Sequence, residues 1–201
     1  MSEEPQTVDV FIDLLPNRPK NDQTREMFRQ VLRQRFEGML TDAVERVWDL
    51  PPMVVKPQGE YLALLLEARQ IYVAGYFYSC VAMSGIVGER LVKDVFRSSV
   101  LVQKGSLPQA PPAAAFDQLE HVEVSGIVRF LKETGLLSAD GAKAVLTLGE
   151  LRNQYAHARG KAAQADALKA IKLLHTLVED TVSMFKEFEI KDGAFVRKAS
   201  P

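Results

Sequence analysis

The sequence predicts an all-α protein, an up-and-down helical bundle with an N-terminal helical extension. Apolar residues recur every three or four positions through most of the chain, which is the period of helices that bury one face. No strand-turn-strand signal stands out in the sequence, and it has no repeat and no low-complexity tract. Hydrophobic residues make up 47% and charged residues 25% of the chain, a balance that can supply one folded core.

The N-terminal extension is expected to cover residues 1–58. Residues 1–20 contain three prolines and predict an arm. A helix from Asp22 to Leu50 follows, with its apolar residues at three- and four-residue steps. Its first residue or Asn21 can cap its start, and Pro51 ends it because proline lacks the backbone N–H that a helix interior needs.

The bundle itself is expected to cover residues 59–190. Its first stretch, 60–98, is densely apolar and carries charges at helical intervals, so it predicts one or two core helices. Three glycines mark places where these helices can pack closely or kink: Gly75, Gly85 and Gly88. The proline-rich stretch 105–115 is predicted to be a loop within the domain.

Three further helices are predicted after that loop. Ser138 suits the N-cap of the second helix, because its hydroxyl can accept a hydrogen bond from the first turn. Gly135 and Gly160 each follow a helical pattern and favour its termination. Residues 191–201 are expected to form a C-terminal tail. The predicted bounds of the three helices are 116–134, 138–159 and 162–188.

Composition and charge argue against several classes of protein. The chain has 25 basic and 26 acidic residues, so it is not expected to coat nucleic acid by net charge alone. No stretch reaches the roughly 18 uninterrupted apolar residues that a membrane span needs, and the acidic N-terminus lacks the apolar run of a secretory signal. The single cysteine, Cys80, cannot form an intramolecular disulfide. These features predict a cytoplasmic protein without a membrane partner.

The motifs of several enzyme classes are missing from the sequence. The segment from Gly85 to Gly88 lacks the glycine spacing and the Lys-Ser/Thr pair of a phosphate-binding loop. Ser84 is not flanked as in a nucleophile elbow. The three histidines are scattered without the spacing of metal ligands, so neither a metal nor a cofactor is expected. They are His121, His157 and His175.

The stretch 150–160 holds the residues best suited to chemistry. On a helix, Glu150, Asn153 and His157 lie at i, i+3 and i+7 and share one face, and Arg152 lies at the flank of that face. An arginine can bind a phosphate through two hydrogen bonds, and a histidine can exchange a proton near neutral pH. Such a set needs no metal to act on RNA, because the 2′-hydroxyl can serve as the nucleophile.

The same stretch resembles the signature of the HEPN superfamily of RNA-cleaving and nucleotide-binding helical domains. The matching pattern is Arg152, the polar Asn153 directly after it, and His157 four residues further on. Residues 72–96 and the two helices from 136 onwards also look like those of bacterial HEPN-like domains that sometimes accompany restriction or defence genes. The resemblance covers the bundle but not the N-terminal extension.

The resemblance implies a homodimer that cuts RNA without a metal and leaves a cyclic phosphate end. Two copies of the arginine and histidine would meet in one cleft about a two-fold axis. Arg152 would bind and stabilise the phosphate, His157 would transfer a proton, and Asn153 would orient both. Glu89, on the facing helix, is a candidate polar partner. Toxin-type members often have a tyrosine two residues beyond the histidine, where this chain has Arg159.

A basic patch surrounds this motif in the sequence. From Leu151 to Lys172 there are five basic residues against the single acid Asp166. Arg159 and Lys161 are the candidates for RNA binding directly after the motif. The patch suits phosphates, but a solvated helix face explains it equally well.

A non-catalytic function is the alternative. In that case the chain would bind RNA or a nucleotide, or act as a scaffold for another protein through the helix Asp22 to Leu50. Arg152 and His157 would then only close a helix end by bonding its last carbonyl groups. Tyr155 is interpreted as core packing rather than as a platform for stacking bases. Three arginines at four-residue spacing favour a solvated face over an RNA track: Arg25, Arg29 and Arg33.

Overall fold

A computed structural model describes most of the chain. The described residues are 19–52, 61–104, 107–112, 114–116, 122–157, 159–181, 188–191 and 194–197. The chain divides into two compact units, Met1–Asp42 and Ala43–Pro201. Most of the predicted N-terminal arm lies outside the described residues, and so does His121. The expected division of the chain at residues 58 and 190 stays a prediction.

Helices dominate the described part of the chain, which confirms the prediction of an all-α helical bundle. The first three helices are α1 (Asp22–Asp49), α2 (Tyr61–Val73) and α3 (Phe77–Ser99), and the other three are α4 (Val124–Glu133), α5 (Ala139–Ala156) and α6 (Ala163–Thr181). Two short antiparallel hairpins accompany them: β1 (Val102–Lys104) with β2 (Leu107–Gln109), and β3 (Phe188–Lys191) with β4 (Ala194–Arg197).

The start of α1 follows from its capping residue. The backbone N–H of Thr24 donates to Asn21 Oδ1 at 2.9 Å, so Asn21 satisfies one of the free donors of the first turn. Asp22 adds a negative charge at the positive end of the helix dipole. At the other end α1 stops at Asp49, two residues before Pro51. The sequence prediction of this helix is therefore confirmed.

The apolar stretch 60–98 forms two helices rather than one. Gly75 separates α2 from α3 and adopts a φ of 82°, a left-handed conformation that side chains disfavour. Its N–H donates to the carbonyl of Tyr72 at 2.9 Å. Arg46 donates from Nε to the carbonyl of Val73 at 2.8 Å and so satisfies an acceptor at the end of α2.

The central helix α3 packs against α2, α4, α5 and α6. Close approach of α5 depends on two of the glycines: a Cβ at Gly88 would lie 2.9 Å from Leu148, and a Cβ at Gly85 would lie 2.8 Å from Arg152. Burial of each large apolar side chain contributes about 1.5–3 kcal/mol. The largest buried side chains include Leu65, Tyr72, Leu131, Leu148, Ile171, Leu174 and Leu177.

Three sequence predictions need correction. The helix expected over 116–134 begins only at Val124, and residues 114–116 form a short 3₁₀ turn. The helix expected to reach Phe188 is described only as far as Thr181, and Phe188 begins a strand. Part of the predicted loop after α3 and part of the predicted C-terminal tail form the two hairpins. The sequence between their strands holds turn dipeptides that the helical pattern overshadowed, Gly105-Ser106 and Asp192-Gly193.

Candidate functional site

The candidate residues lie at the C-terminal end of α5. Ser138 caps the other end of this helix, as predicted, and its hydroxyl accepts from the N–H of Gly141 at 3.0 Å. The helix ends at Ala156, slightly earlier than expected, and His157 is its C-cap residue. The N–H of His157 donates to the carbonyl of Asn153 at 3.1 Å. The motif therefore occupies the last turn of α5 and the residue that caps it.

Arg152 reaches from α5 to α3 and forms an ion pair there. Its Nη1 donates to Glu89 Oε2 at 2.7 Å, and the Arg152 side chain keeps 34% of its surface exposed. The stem of Arg152 lies directly over Gly85, where any Cβ would collide with it. The guanidinium thus bonds to a carboxylate, rather than to the last carbonyl groups of α5 as the alternative interpretation assumed.

Glu89 holds two cations at once. Besides Arg152, it contacts Lys93 Nζ from Oε1 at 2.9 Å, and only 5% of the Lys93 side chain is exposed. Burial alone would raise the pKa of Glu89, but hydrogen bonds from Lys93 and Arg152 outweigh burial and lower that pKa. Glu89 is therefore a carboxylate at neutral pH. The charged triad of Arg152, Glu89 and Lys93 ties α5 to α3.

The other members of the motif remain open to solvent. Glu150, Asn153 and His157 are all exposed, in agreement with the shared face that their spacing predicts. Arg152 lies roughly 140° around the helix axis from His157, since each residue advances by about 100°. Within one chain the guanidinium and the imidazole therefore point in different directions.

Tyr155 is a core residue. It is 6% exposed, and its hydroxyl donates to Asp166 Oδ2 at 2.6 Å. Burial, together with the neighbouring Asp166 carboxylate, raises the pKa of Tyr155 well above its ordinary value. A Cβ at Gly160 would collide with the tyrosine ring. Tyr155 thus joins the end of α5 to α6 and holds the turn after His157, which confirms the interpretation of this tyrosine as core packing.

Tyr78 is a surface aromatic that the sequence reasoning missed. It lies in the first turn of α3 and is 53% exposed, and its ring meets the ring of Tyr155 edge-on with centroids 4.8 Å apart. Its exposure could have been predicted from its spacing, because Tyr78 lies two residues before the buried Cys80 and so faces another side of α3.

The residues of the predicted basic patch lie at the surface. Arg159 and Lys161 follow α5 and are exposed, and so are Lys169 and Lys172 on α6. Arg152 shares the single carboxylate of Glu89 with Lys93, so the charged triad carries a net charge of +1. Their positions at the surface allow these side chains to contact phosphates.

A cavity of about 250 Å³ opens on the surface of α3 next to the charged triad. Three basic and two acidic residues line it, so its charged lining has a net charge of +1. Glu89 and Lys93 belong both to the cavity wall and to the triad. The full lining is Ile86, Glu89, Arg90, Lys93, Asp94 and Arg97.

His175 has a structural rather than a chemical environment. It is 7% exposed, and Arg69 Nη1 lies 2.9 Å from its Nε2 and also 2.9 Å from the carbonyl of Pro51. Because a guanidinium only donates, Nε2 accepts and the imidazole is neutral. Burial, and secondly the charge of Arg69, lowers the pKa of His175 to about 4. Of the two histidines among the described residues, His157 is the exposed one.

Cys80 is enclosed in the core, and burial raises the pKa of its thiol to about 12. Such a buried, protonated thiol is inert. Among the residues that the structure describes, no group of His, Cys, Asp and Glu side chains is arranged to hold a metal ion. Nor is any helix within the described ranges long and apolar enough to span a bilayer.

Comparison with protein-family models, with curated proteins and with solved structures gives no match.

Proposed function

We propose that this protein is a HEPN-type, metal-independent endoribonuclease, or a weakened relative of one, that acts in the cytoplasm in bacterial defence or RNA processing. The observation that carries the proposal is the arrangement at the end of α5. Glu89 holds the Arg152 guanidinium in a fixed, half-exposed position, and His157 and Asn153 lie open to solvent on the same two turns of helix.

The proposed reaction uses the RNA's own 2′-oxygen. This oxygen attacks the adjacent phosphorus, the bond from phosphorus to the 5′-oxygen breaks, and the products are a 2′,3′-cyclic phosphate and a 5′-hydroxyl. One proton leaves the 2′-hydroxyl and one is delivered to the departing 5′-oxygen, and an exposed histidine such as His157 is suited to either transfer. Arg152 still has N–H donors beyond the one used by Glu89, and these can stabilise the negative charge of the transition state.

A second copy of the chain completes the proposed cleft. Because Arg152 and His157 diverge around α5, one copy is expected to supply the guanidinium and the other the imidazole. A two-fold axis would generate two equivalent sets. Asn153, which shares the face of His157, would orient the histidine or the bound phosphate. Arg159 and Lys161 would contact neighbouring phosphates along the RNA.

A non-catalytic RNA- or nucleotide-binding module is the second candidate. The ion pair between Arg152 and Glu89 favours it, because a neutralised guanidinium at 2.7 Å from a carboxylate binds phosphate less strongly than an unpaired one. The exposed lysines on α6 and after α5 would then supply most of the affinity. Binding of that kind weakens steeply as the salt concentration rises.

One assay distinguishes the two candidate functions. Structured and single-stranded RNAs are incubated with the purified protein in excess chelator, and cleavage and binding are both measured. We expect His157→Ala to reduce cleavage by at least about 100-fold, the usual contribution of a general acid or base. Arg152→Ala should reduce it by at least about 100-fold as well, because it removes donors that stabilise charge in the transition state. The matched controls are Gln154→Ala, an exposed neighbour on α5, and Arg129→Ala, an exposed arginine paired to Glu133 on α4.

Equal cleavage by the wild-type protein and the two site variants would reject the nuclease. Binding without cleavage, weakened by Lys161→Ala, would establish the binding module instead. A cyclic phosphate at the 3′ end of the product would support the proposed route, because hydrolysis by an activated water leaves a linear phosphate.

A further inference from the structure

Helix α1 exposes a long row of apolar side chains. Five of them follow one another at four-residue steps, and between 49% and 81% of each is exposed. Because four residues advance about 40° beyond a full turn, the row is inclined to the helix axis and winds by about 160° from Leu32 to Trp48. Solvent-exposed apolar residues are common singly, but a continuous row of large ones on a helix is typical of a surface that binds a partner. The row consists of Leu32, Phe36, Leu40, Val44 and Trp48.

The charges of α1 are divided between its two halves. The N-terminal half, 22–35, has four arginines and two acidic residues, a net charge of +2. The C-terminal half, 36–49, has one arginine and four acidic residues, a net charge of −3. The partner of this helix must therefore carry the opposite order of charges along the same length, negative first and then positive.

An anionic membrane surface or an RNA backbone does not meet that requirement. Either would attract the arginine-rich half of α1 and repel the acidic half, so only part of the apolar row would be covered. A second α1 in antiparallel orientation, inclined so that the four-residue ridges of the two helices interdigitate near Phe36, meets the requirement on both sides of the crossing. Its acidic half lies beside the basic half of the first helix, and the reverse holds at the other end. Phe36, next to the middle of α1, then lies near the two-fold axis.

We infer that α1 is a self-pairing surface, on which a second copy of this chain packs its own α1 in antiparallel orientation. The contact is isologous, so each residue that lies off the axis is used twice. Packing the two rows together removes the apolar side chains near the crossing from water. This inference uses only α1 and does not depend on any action on RNA.

The first test is charge reversal followed by mixing, with the full chain. R29E/R33E makes both halves of α1 acidic, and E37R/E45R makes both halves basic. The oligomeric state is measured by light scattering and sedimentation over a range of concentrations. Each double variant alone should have its dimer dissociation constant raised by at least about tenfold. An equimolar mixture should restore the wild-type value, because the two altered helices are complementary again.

The matched control is Arg129→Glu, a charge reversal on the exposed surface of α4. It should leave the dissociation constant unchanged. Circular dichroism of each variant verifies that the helices remain folded. A wild-type chain that stays monomeric at all concentrations would overturn the inference. So would a dimer that is indifferent to both double variants, or a monomer that binds phosphatidylserine vesicles in a manner abolished by Phe36→Asp.

The second test measures the direction of pairing. A spin label is attached at Gln23→Cys, near the start of α1, in the full chain. The distance between the two labels of a dimer is measured by double electron–electron resonance. The native Cys80 is buried and does not react with the label. Antiparallel helices that cross near Phe36 or Leu40 place the two labels about 40–50 Å apart, at 1.5 Å per residue. Parallel helices would bring them to about 10 Å. The short distance would contradict the inference even if the dimer forms.

Discussion

Helices α1 and α3 have apolar residues at similar spacing but different surroundings. In α3 the side chains of Val81, Val87 and Leu91 are at most 3% exposed, because four other helices pack around it. In α1 the side chains of Phe36 and Leu40 are 59% and 58% exposed. Helical periodicity thus reports that a face can be buried. It does not report whether the same chain provides the covering surface.

Truncating one leucine in each helix gives the largest expected contrast. Leu91→Ala in α3 should lower the free energy of unfolding by about 2–5 kcal/mol, since it leaves a cavity in a packed core. Leu40→Ala in α1 should change it by less than about 0.5 kcal/mol at a protein concentration where the chain is monomeric. Urea unfolding of both variants measures the difference. Equal effects would mean that α1 is covered within the chain.

Removing one carboxylate from each helix extends the comparison to charges. Glu89→Ala leaves the buried Lys93 and the half-buried Arg152 without their carboxylate and should destabilise the fold by about 2 kcal/mol. Glu26→Ala removes the partner of Arg29, an exposed pair at 3.0 Å, and should cost less than about 0.5 kcal/mol. Thermal and urea unfolding give both values. A small effect of Glu89→Ala would show that the triad does not fasten α5 to α3.

The pH dependence of the bundle should carry a contribution from His175, whereas α1 contains no histidine. The folded-state pKa of about 4 lies below the ordinary 6.5, so the unfolded chain binds the proton more readily. The stabilisation is present above pH 6.5 and is lost as the pH falls towards 4. Between pH 7 and pH 5 the loss should be about 2 kcal/mol.

Comparison with His175→Gln isolates this contribution from that of the carboxylates. The glutamine amide can still accept from Arg69 but does not titrate. The difference in unfolding free energy between pH 7 and pH 5 should therefore be smaller in the variant. An identical pH profile would mean that His175 is protonated in the folded protein as readily as in the unfolded chain.

Replacing one glycine in each helix should give effects of opposite sign. Gly85→Ala puts a Cβ 2.8 Å from Arg152 and should destabilise by about 1–3 kcal/mol, because α3 and α5 must move apart. Gly38→Ala meets no atom within 4 Å and should stabilise α1 by up to about 1 kcal/mol, since alanine favours the helix. Destabilisation at Gly38 would reveal a neighbour packed against this face.

Several local features of the fold were predictable from the sequence. Ser138 and Asn21 cap their helices as expected because capping depends on residues within one turn. The hairpin at the C-terminus was missed, although the dipeptide Asp192-Gly193 is a strong turn signal. The short strands around it fall at the end of an apolar run with helical spacing. That pattern favoured extending the helix to Phe188.

The candidate site was predictable only in part. The spacing of Asn153 and His157 predicts a shared helix face, and both residues are exposed. The exposed ring of Tyr78 lies against Tyr155, which is distant in the sequence, and local patterns do not predict that contact. The resemblance to HEPN domains and the roles that it implies stay predictions.

By itself the sequence determined where helices form, how they begin and how charge is distributed along α1. Capping, periodicity and charge are local properties, so a single stretch of chain carries them. Only the tertiary structure decided that Arg152 meets Glu89, 63 residues away, and that the row on α1 stays exposed. Such contacts depend on which helices come close enough to touch. Helices α3 and α5 can approach each other closely because Gly85 has no side chain at the point where Arg152 crosses it.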